Sequence, residues 1–255
     1  MNALVRRLRY LVAATLLVVT AMHAHASDPF GDVEIRTRLG YNIGGTAPVS
    51  MPATIRKLSK YSLTPSVQLS VDAYKPIGGR WGVDVGLALE NKAMKADARV
   101  KSYHMALRQS DETLEGVFTG QVVTKVRQWM LTLSALATYN VTRSVRLKLG
   151  PYLSYVVDHD FSGYAYDGYL RVGSPTGTKV ELGNDAASWG TYDFSDDLRH
   201  LQAGIKGGAD WQFSSHVGIY AEIAWGISGI FHSRFDTIEQ TLYPIYGTIG
   251  ISYKL

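Results

Sequence analysis

The chain has 255 residues, with 26 basic and 22 acidic side chains, 46% hydrophobic and 19% charged residues, 16 Tyr, 5 Trp, 25 Gly and no Cys. Lack of Cys excludes disulfides, thiolate metal sites and thiol nucleophiles. The length suits one domain, and a mean hydropathy of -0.04 does not exclude a membrane protein, because a polar lumen hides the apolar outer face of a transmembrane barrel from any averaged index.

The N-terminus reads as a cleavable signal peptide over residues 1–26, leaving a single domain over residues 27–255. Arg6, Arg7 and Arg9 form the basic region, Leu11 to Ala21 the apolar core, and Ala24-His25-Ala26 a small-x-small site before Ser27. The apolar run is too short for a spanning helix, and no Cys follows the cleavage point to make a lipoprotein. The signal takes three Arg with it, which leaves 23 basic against 22 acidic side chains. A nucleic-acid partner therefore has no electrostatic basis.

The mature chain alternates with the period of a β-strand. In Val33 to Ile43, Val33, Ile35, Leu39, Tyr41 and Ile43 share one face, and Glu34, Arg36, Arg38, Gly40 and Asn42 the other. A loop is expected from Gly44 to about Ser62, where Pro48 and Pro52 break any long element. Leu63 to Tyr74 repeats the pattern with Asp72 on its polar face. After a turn at Lys75–Arg80, Trp81 to about Lys92 sets Asp84, Glu90 and Lys92 against Val83, Val85, Leu87 and Leu89. The charged, weakly patterned stretch from Ala93 to Gln121 is expected to be loop, or strand continuing beyond a membrane. Val122 to Tyr139 holds a fourth strand, and Val145 to Val157 a fifth with Arg146 and Lys148 on its polar face. A long segment rich in Gly, Asp and Tyr runs from Asp158 to about Arg199. Leu201 to Phe213 presents Lys206 and Asp210, Val217 to Gly229 presents Glu222, and Leu242 to Leu255 closes the chain.

These are eight strands with alternating long and short connections, and that asymmetry belongs to outer-membrane barrels with long extracellular loops and short periplasmic turns. Trp129 and Tyr139 bracket about ten residues, which at about 3.3 Å each and a tilt of about 45° cover roughly 23 Å, the height of a lipid-facing band. The terminal Thr248-x-Gly250-x-x-Tyr253-x-Leu255 resembles the signal read by the barrel-insertion machinery of bacterial outer membranes. The fold expected is all-β, an eight-stranded antiparallel transmembrane barrel in the outer membrane of a Gram-negative bacterium. A soluble sandwich is the alternative.

In such a barrel Glu34, Arg36, Arg38, Asp72, Asp84, Glu90, Lys92, Arg146, Lys148, Lys206, Asp210 and Glu222 all point inward. Eight strands leave an interior just wide enough for side chains, so these groups are expected to pair and fill the lumen rather than line a small-solute pore. His159-Asp160-x-Ser162 and Asp193-Phe194-Ser195-Asp196-Asp197…His200 admit another reading, a lipid A-modifying barrel enzyme in which His activates a Ser hydroxyl. That chemistry needs the pair in contact. No cofactor is expected. The acidic cluster lacks the spacing of a calcium loop, and Gly204 to Gly208 lacks the Lys of a phosphate-binding loop.

Several loop motifs, Phe118-Thr119-Gly120, Phe161-Ser162-Gly163, Tyr166-Asp167-Gly168-Tyr169-Leu170-Arg171, Pro175-x-Gly177-x-Lys179 and Tyr192-Asp193-Phe194-Ser195-Asp196-Asp197, resemble those of PorT-type outer-membrane barrel proteins of Bacteroidota. Tyr243-Pro244-Ile245-Tyr246 fits the same group. The resemblance covers most of the mature chain and implies an eight-stranded outer-membrane barrel without a catalytic motif. One member of that group is associated with type IX secretion, so the partners expected are outer-membrane lipid, the insertion machinery and secretion or surface-assembly proteins. Phe161, Tyr164, Tyr166, Asp167, Tyr169, Arg171, Tyr192, Asp193 and Phe194 are the residues expected to form a loop cap or interaction surface. The function expected is a non-enzymatic surface-loop platform or accessory to envelope assembly or secretion.

Overall fold

The computed structural model describes residues 33–49, 52–109, 112–235, 237–238 and 240–255; the signal peptide and cleavage site expected from the sequence lie outside them. Eleven strands follow in order: β1 (Glu34–Pro48), β2 (Ile55–Leu63), β3 (Val67–Gly78), β4 (Trp81–Gln109), β5 (Glu112–Asn140), β6 (Val145–Val172), β7 (Lys179–Leu182), β8 (Gly190–Asp193), β9 (Leu201–Gln212), β10 (Val217–Gly226) and β11 (Leu242–Lys254).

Eight of them close a ring. β1 pairs with β3, β3 with β4, β4 with β5, β5 with β6, β6 with β9, β9 with β10, β10 with β11, and β11 returns to β1, every pair antiparallel. Closure removes the unpaired edges that a hydrocarbon environment cannot satisfy. Arg36 faces Lys254 and Asp72 in register, so first and last strands are locked by backbone bonds over most of their length. Burial alternates strictly along β10: Ile219, Ile223 and Trp225 are exposed on the outer face, and Tyr220, Glu222 and Ala224 are buried within. The outer faces of the other ring strands likewise carry Leu39, Leu87, Leu133, Leu149, Ile205 and Ile251, all exposed, which is the inside-out pattern of a barrel whose solvent is lipid. Trp81 meets Tyr139 edge-on at 4.9 Å and Trp211 meets Phe213 at 6.2 Å beside the short turns, forming one aromatic girdle.

The segments between the expected strands bear on the sequence reading in three ways. The loop expected from Gly44 to Ser62 contains the end of β1 and all of β2, which pairs with the upper part of β4. Ala93–Gln121, expected as loop or as strand continuing beyond the membrane, is strand, and Asp158–Arg199, expected as a long connection, is also largely strand, because β4, β5 and β6 run for 29, 29 and 28 residues. The tight turn after β3 shrinks to Gly79–Arg80, since β3 continues to Gly78. The reason for the second difference is an exchange of faces. Along β4 the inward residues read Asp84, Glu90 and Lys92, then Met94, Ala96 and Ala98, while the outward ones change from Val85 and Leu87 to Lys95, Asp97 and Arg99. Outside the lipid the outer solvent is water, so the apolar side of the same strand turns inward, and a pattern sought with one polarity fades at the exchange. β5 does the same, from Lys125 and Arg127 to Leu131 and Leu133 on its outer face.

The strand extensions, with β2, β7, β8 and the β10–β11 connection, enclose a second core. Met94, Val100, Met105, Leu107, Phe118, Val126, Leu170, Leu198 and Ile230 are all buried in it. A bulge at Ser102, in the left-handed region at φ 53, shifts register between Val100 and Tyr103 and brings Met105 and Leu107 inward. We call this extracellular part the crown.

Candidate functional site

The inside of the molecule has two layers. The lower is charged: six cations and six anions, those named above, project from the ring strands. Arg38 is their centre. Its Nε lies 2.6 Å from Asp72, its Nη2 2.8 Å from Asp210, and its Nη1 2.5 Å from Glu222. Lys148 reaches Glu222 at 2.8 Å and Asp210 at 3.3 Å, and Lys206 lies 3.8 Å from the second Glu222 oxygen. Asp84 is buried in the same layer, where it shares a cleft with Arg38, Asp72, Lys148 and Lys206. Towards the short turns, Glu34 joins Arg36, Arg146 and Lys254, and the Arg146 guanidinium stacks 3.4 Å over the Tyr74 ring. Towards the crown, Lys92 pairs with Glu90 at 3.1 Å and sits 5.5 Å from the Tyr152 and Tyr246 ring centres. Glu90 also accepts a hydrogen bond from Thr132 at 2.6 Å.

Eleven of these twelve charges lie within 4.0 Å of an opposite one, as a low-dielectric interior demands; Asp84 shares the cleft with the cations Arg38, Lys148 and Lys206. The free space left among Arg38, Asp84, Lys148 and Glu222 is about 10 Å³, room for about one water molecule. Gly40 and Gly250, cross-strand partners, make room for the Tyr220 ring: a Cβ on Gly40 would stand 2.2 Å from its hydroxyl, and one on Gly250 2.7 Å from its ring edge. Arg38 in turn lies 4.6 Å from the centre of that ring. Gly250 thus has a packing role, while Tyr253 and Leu255 are exposed at the end of the chain.

The upper layer is apolar. A chamber of about 440 Å³ is lined by β1, β2, the crown halves of β4 and β5, and by Phe161, Tyr192 and Phe194. Tyr192 stacks on Phe194 with ring centres 5.4 Å apart. It donates a hydrogen bond to the Val123 carbonyl at 3.0 Å and lies 2.7 Å from the Thr124 hydroxyl. Burial of this phenol pushes its pKa well above the ordinary value, so it stays a neutral donor.

The remaining cap residues lie on the crown's outer side. Tyr164 stacks 4.1 Å from Trp189, and Tyr166 donates to Asp97 at 3.0 Å. Tyr169 lies beneath Arg171 and Lys179, Arg171 donates to the Gly177 carbonyl at 3.1 Å, Asp193 accepts from Ser195 at 2.6 Å, and Asp167 is exposed. The sequence reading missed Tyr61, Met94, Ala96 and Ala98. An apolar residue at every second position from Met94 to Val100 was the available signal.

The candidate catalytic residues are placed apart. Ser162 donates to Asp160 at 2.8 Å, and Ser195 to Asp193. His159 and His200 meet each other, ring centres 5.1 Å apart. Among the described residues, the Ser–His hydrogen bond present joins the neighbours Ser215 and His216 at a short turn, at the opposite end of the barrel. No group of three His, Asp or Glu side chains among the described residues is arranged to hold a metal ion.

A family model described as "Outer membrane protein beta-barrel domain" matches residues 23–232. The chain belongs to that family. Its members' location agrees with the closed ring and its apolar outer face, and the protein is an eight-stranded barrel of the Gram-negative outer membrane. No curated protein matches the chain. Similar solved structures include the attachment invasion locus protein Ail of Yersinia pestis, at 11% identity over 88% of this chain and 97% of that one with a TM-score of 0.34. Neisserial surface protein A is similar at 11% identity over 88% and 97% with a TM-score of 0.37. OprG from Pseudomonas aeruginosa is similar at 14% over 87% and 95%, also at 0.37. At such scores the family assignment stands on the family model and on the strand pairing.

Proposed function

We propose that the barrel is a non-enzymatic anchor, closed to solutes, whose extracellular crown is the working part: an interaction platform held above the membrane. The observation that carries this reading is the contrast between the two layers. The lumen is filled by charged side chains, with about 10 Å³ free in the cleft around Arg38 and Asp84, while the crown takes more than half of the 29-residue β4 and β5 into a built, apolar-cored structure. A pore needs a water-filled path, and a lipid-modifying enzyme needs a Ser–His pair near the outer leaflet. Ser162 and Ser195 donate to Asp160 and Asp193 while His159 and His200 face each other, an arrangement that does not favour the enzyme reading.

The specific form of the reading is an accessory to envelope assembly or type IX secretion, suggested by the PorT-type loop motifs. Its test is a mild-detergent pulldown of the tagged protein from native outer membranes, with mass spectrometry of proteins and lipids. Stoichiometric recovery of secretion or surface-assembly components, lost when residues 175–199 are replaced by a short linker, is the expected result. Recovery of the barrel without protein partners would overturn the accessory role.

A further inference from the structure

The crown chamber has an opening in the barrel wall. β1 pairs with β3 only as far as Tyr41 opposite Val67. Beyond that point β11 still pairs with β1 to Pro48, but on the other side the chain has broken at Thr64–Ser66. β2, which takes over the place beside β4, forms no strand pairing with β1 among the described residues. Side chains meet the exposed edge of β1 instead. The Thr46 amide donates to the Met94 sulfur at 3.1 Å, a weak acceptor, and the Gly44 carbonyl accepts from the Tyr61 hydroxyl. A seam closed by a thioether and a phenol, rather than by backbone bonds, parts without unzipping a strand.

The seam lies where the lipid-facing band ends. Ile43 and Ile245 both line the chamber and are 41% and 37% exposed on the outer surface, in line with the band residues Tyr41, Ile249 and Trp225. Leu58 and Tyr61 on the opposite lip also line the chamber and are 50% and 39% exposed. Residues that face a cavity and the exterior at once mark a doorway, and this one is apolar on both lips. An open strand edge is excluded from the hydrocarbon itself, and this one stands at the upper margin of the band, level with the outward Lys95 and Asp97 of β4. Below the chamber the way down is shut by the Lys92–Glu90 layer and the packed lumen. An apolar occupant coming from the membrane therefore enters by this doorway. The chamber's about 440 Å³ falls in the range of roughly 300–1,000 Å³ that holds small ligands.

We propose that this chamber binds an aliphatic chain, the acyl chain of an outer-leaflet lipid, drawn in through the seam between β1 and β2. The inference rests on the crown being the working part of the molecule. A lipid is favoured over a free hydrocarbon by the same strand that forms one lip: β2 exposes Arg56, Lys57 and Lys60 to water, and Lys57 stands opposite Arg99 on β4. Like charges directly opposite on a sheet repel, and a headgroup phosphate at this height relieves that repulsion.

The test uses the mature protein folded into vesicles that contain phosphatidylglycerol with a diazirine at the end of one acyl chain. After irradiation, labelled peptides are mapped by mass spectrometry, with labelling of the outer-face residues Ile223 and Ile249 as internal reference. Label on the interior peptides carrying Met94–Met105 and Val122–Thr124 is the expected result. Relative to the reference it should fall about tenfold or more in Ala98→Trp, which fills the chamber, and in Leu58→Asp, which puts a charge in the doorway. Heat-modifiable gel migration identifies variants that still fold, and the two substitutions lie on different elements, so one misfolded variant leaves the other to decide. Label confined to the outer face, or interior label unmoved by both folded variants, would overturn the proposal. If a diazirine-bearing free fatty acid labels the interior and the phospholipid does not, the lipid assignment is overturned in favour of the free acid. Protein partners recovered in the pulldown are independent of these outcomes, so the platform reading and the chamber fail separately.

Discussion

Arg38 shows how one side chain decides the state of the lumen. It is buried, and its guanidinium touches Asp72, Asp210 and Glu222 at once. Arg38→Ala takes away the one cation that touches all three carboxylates, leaving Arg36, Lys148 and Lys206 to answer Asp210 and Glu222, and breaking a buried ion pair in this way costs about 3–5 kcal/mol. The expected outcome is a lower urea midpoint in vesicles and a lower temperature of conversion on heat-modifiable gels, with no loss of export. A midpoint within about 0.5 kcal/mol of wild type, the ordinary spread for an unremarkable surface site, would show that the network is not what holds the lumen shut. Gly40 sets a different constraint. A Cβ there meets the Tyr220 hydroxyl, so Gly40→Val is expected to cost about 1–3 kcal/mol by overpacking, and Tyr220→Ala in the same chain to recover part of that loss, as read from a double-mutant cycle.

Among elements, β5 carries both environments on one face. Leu133 lies in the lipid band and Gln121 in the crown, both on the outward side. Leu133→Lys is expected to cost about 2–4 kcal/mol, the value for a cation near the bilayer midplane. Gln121→Glu, a charge placed opposite Arg99 on the crown's water-facing side, should move stability by no more than about 0.5 kcal/mol. Equilibrium unfolding in vesicles reads both, and equal costs would place the lipid boundary elsewhere on the strand. This same exchange explains what was legible in the sequence. The eight ring strands were readable where apolar residues face lipid, as at Trp129 to Tyr139. The extensions were not, because from Met94 upward the alternation keeps its period but reverses its sense, and Arg99 or Lys101 on the outer face then looks like loop. β2 was hidden for a further reason: among Arg56, Lys57, Ser59 and Lys60, the apolar Ile55, Leu58 and Tyr61 recur every third residue, because two bulges break the period of two.

At the scale of the whole molecule, the closed ring and filled lumen make a rigid anchor, and the crown above it holds the larger cavity. Planar bilayers containing the purified barrel are expected to show no stepwise conductance above the lipid baseline, because the charged layer leaves space for about one water. Regular conductance steps of uniform size would contradict a filled lumen. The polar vestibule at the other end, about 360 Å³ and bordered by Glu34, Arg36, Arg146 and Lys254, stops at that layer and does not join the chamber.

The sequence by itself determined the architecture and its place in the cell, because strand alternation, turn residues and interfacial aromatics are local signals that a barrel repeats eight times. Parity along a strand sorts its residues into two faces, so an inward polar set could be named from position alone. Only the tertiary structure decided which acid meets which base: Arg38 and Glu222 are 184 residues apart, and their meeting depends on ring closure and register. It likewise decided that the segments between the strands build a crown rather than loose loops. The seam between β1 and β2 exists only because β2 pairs with β4 and departs from β1, a choice among distant partners that no local pattern records.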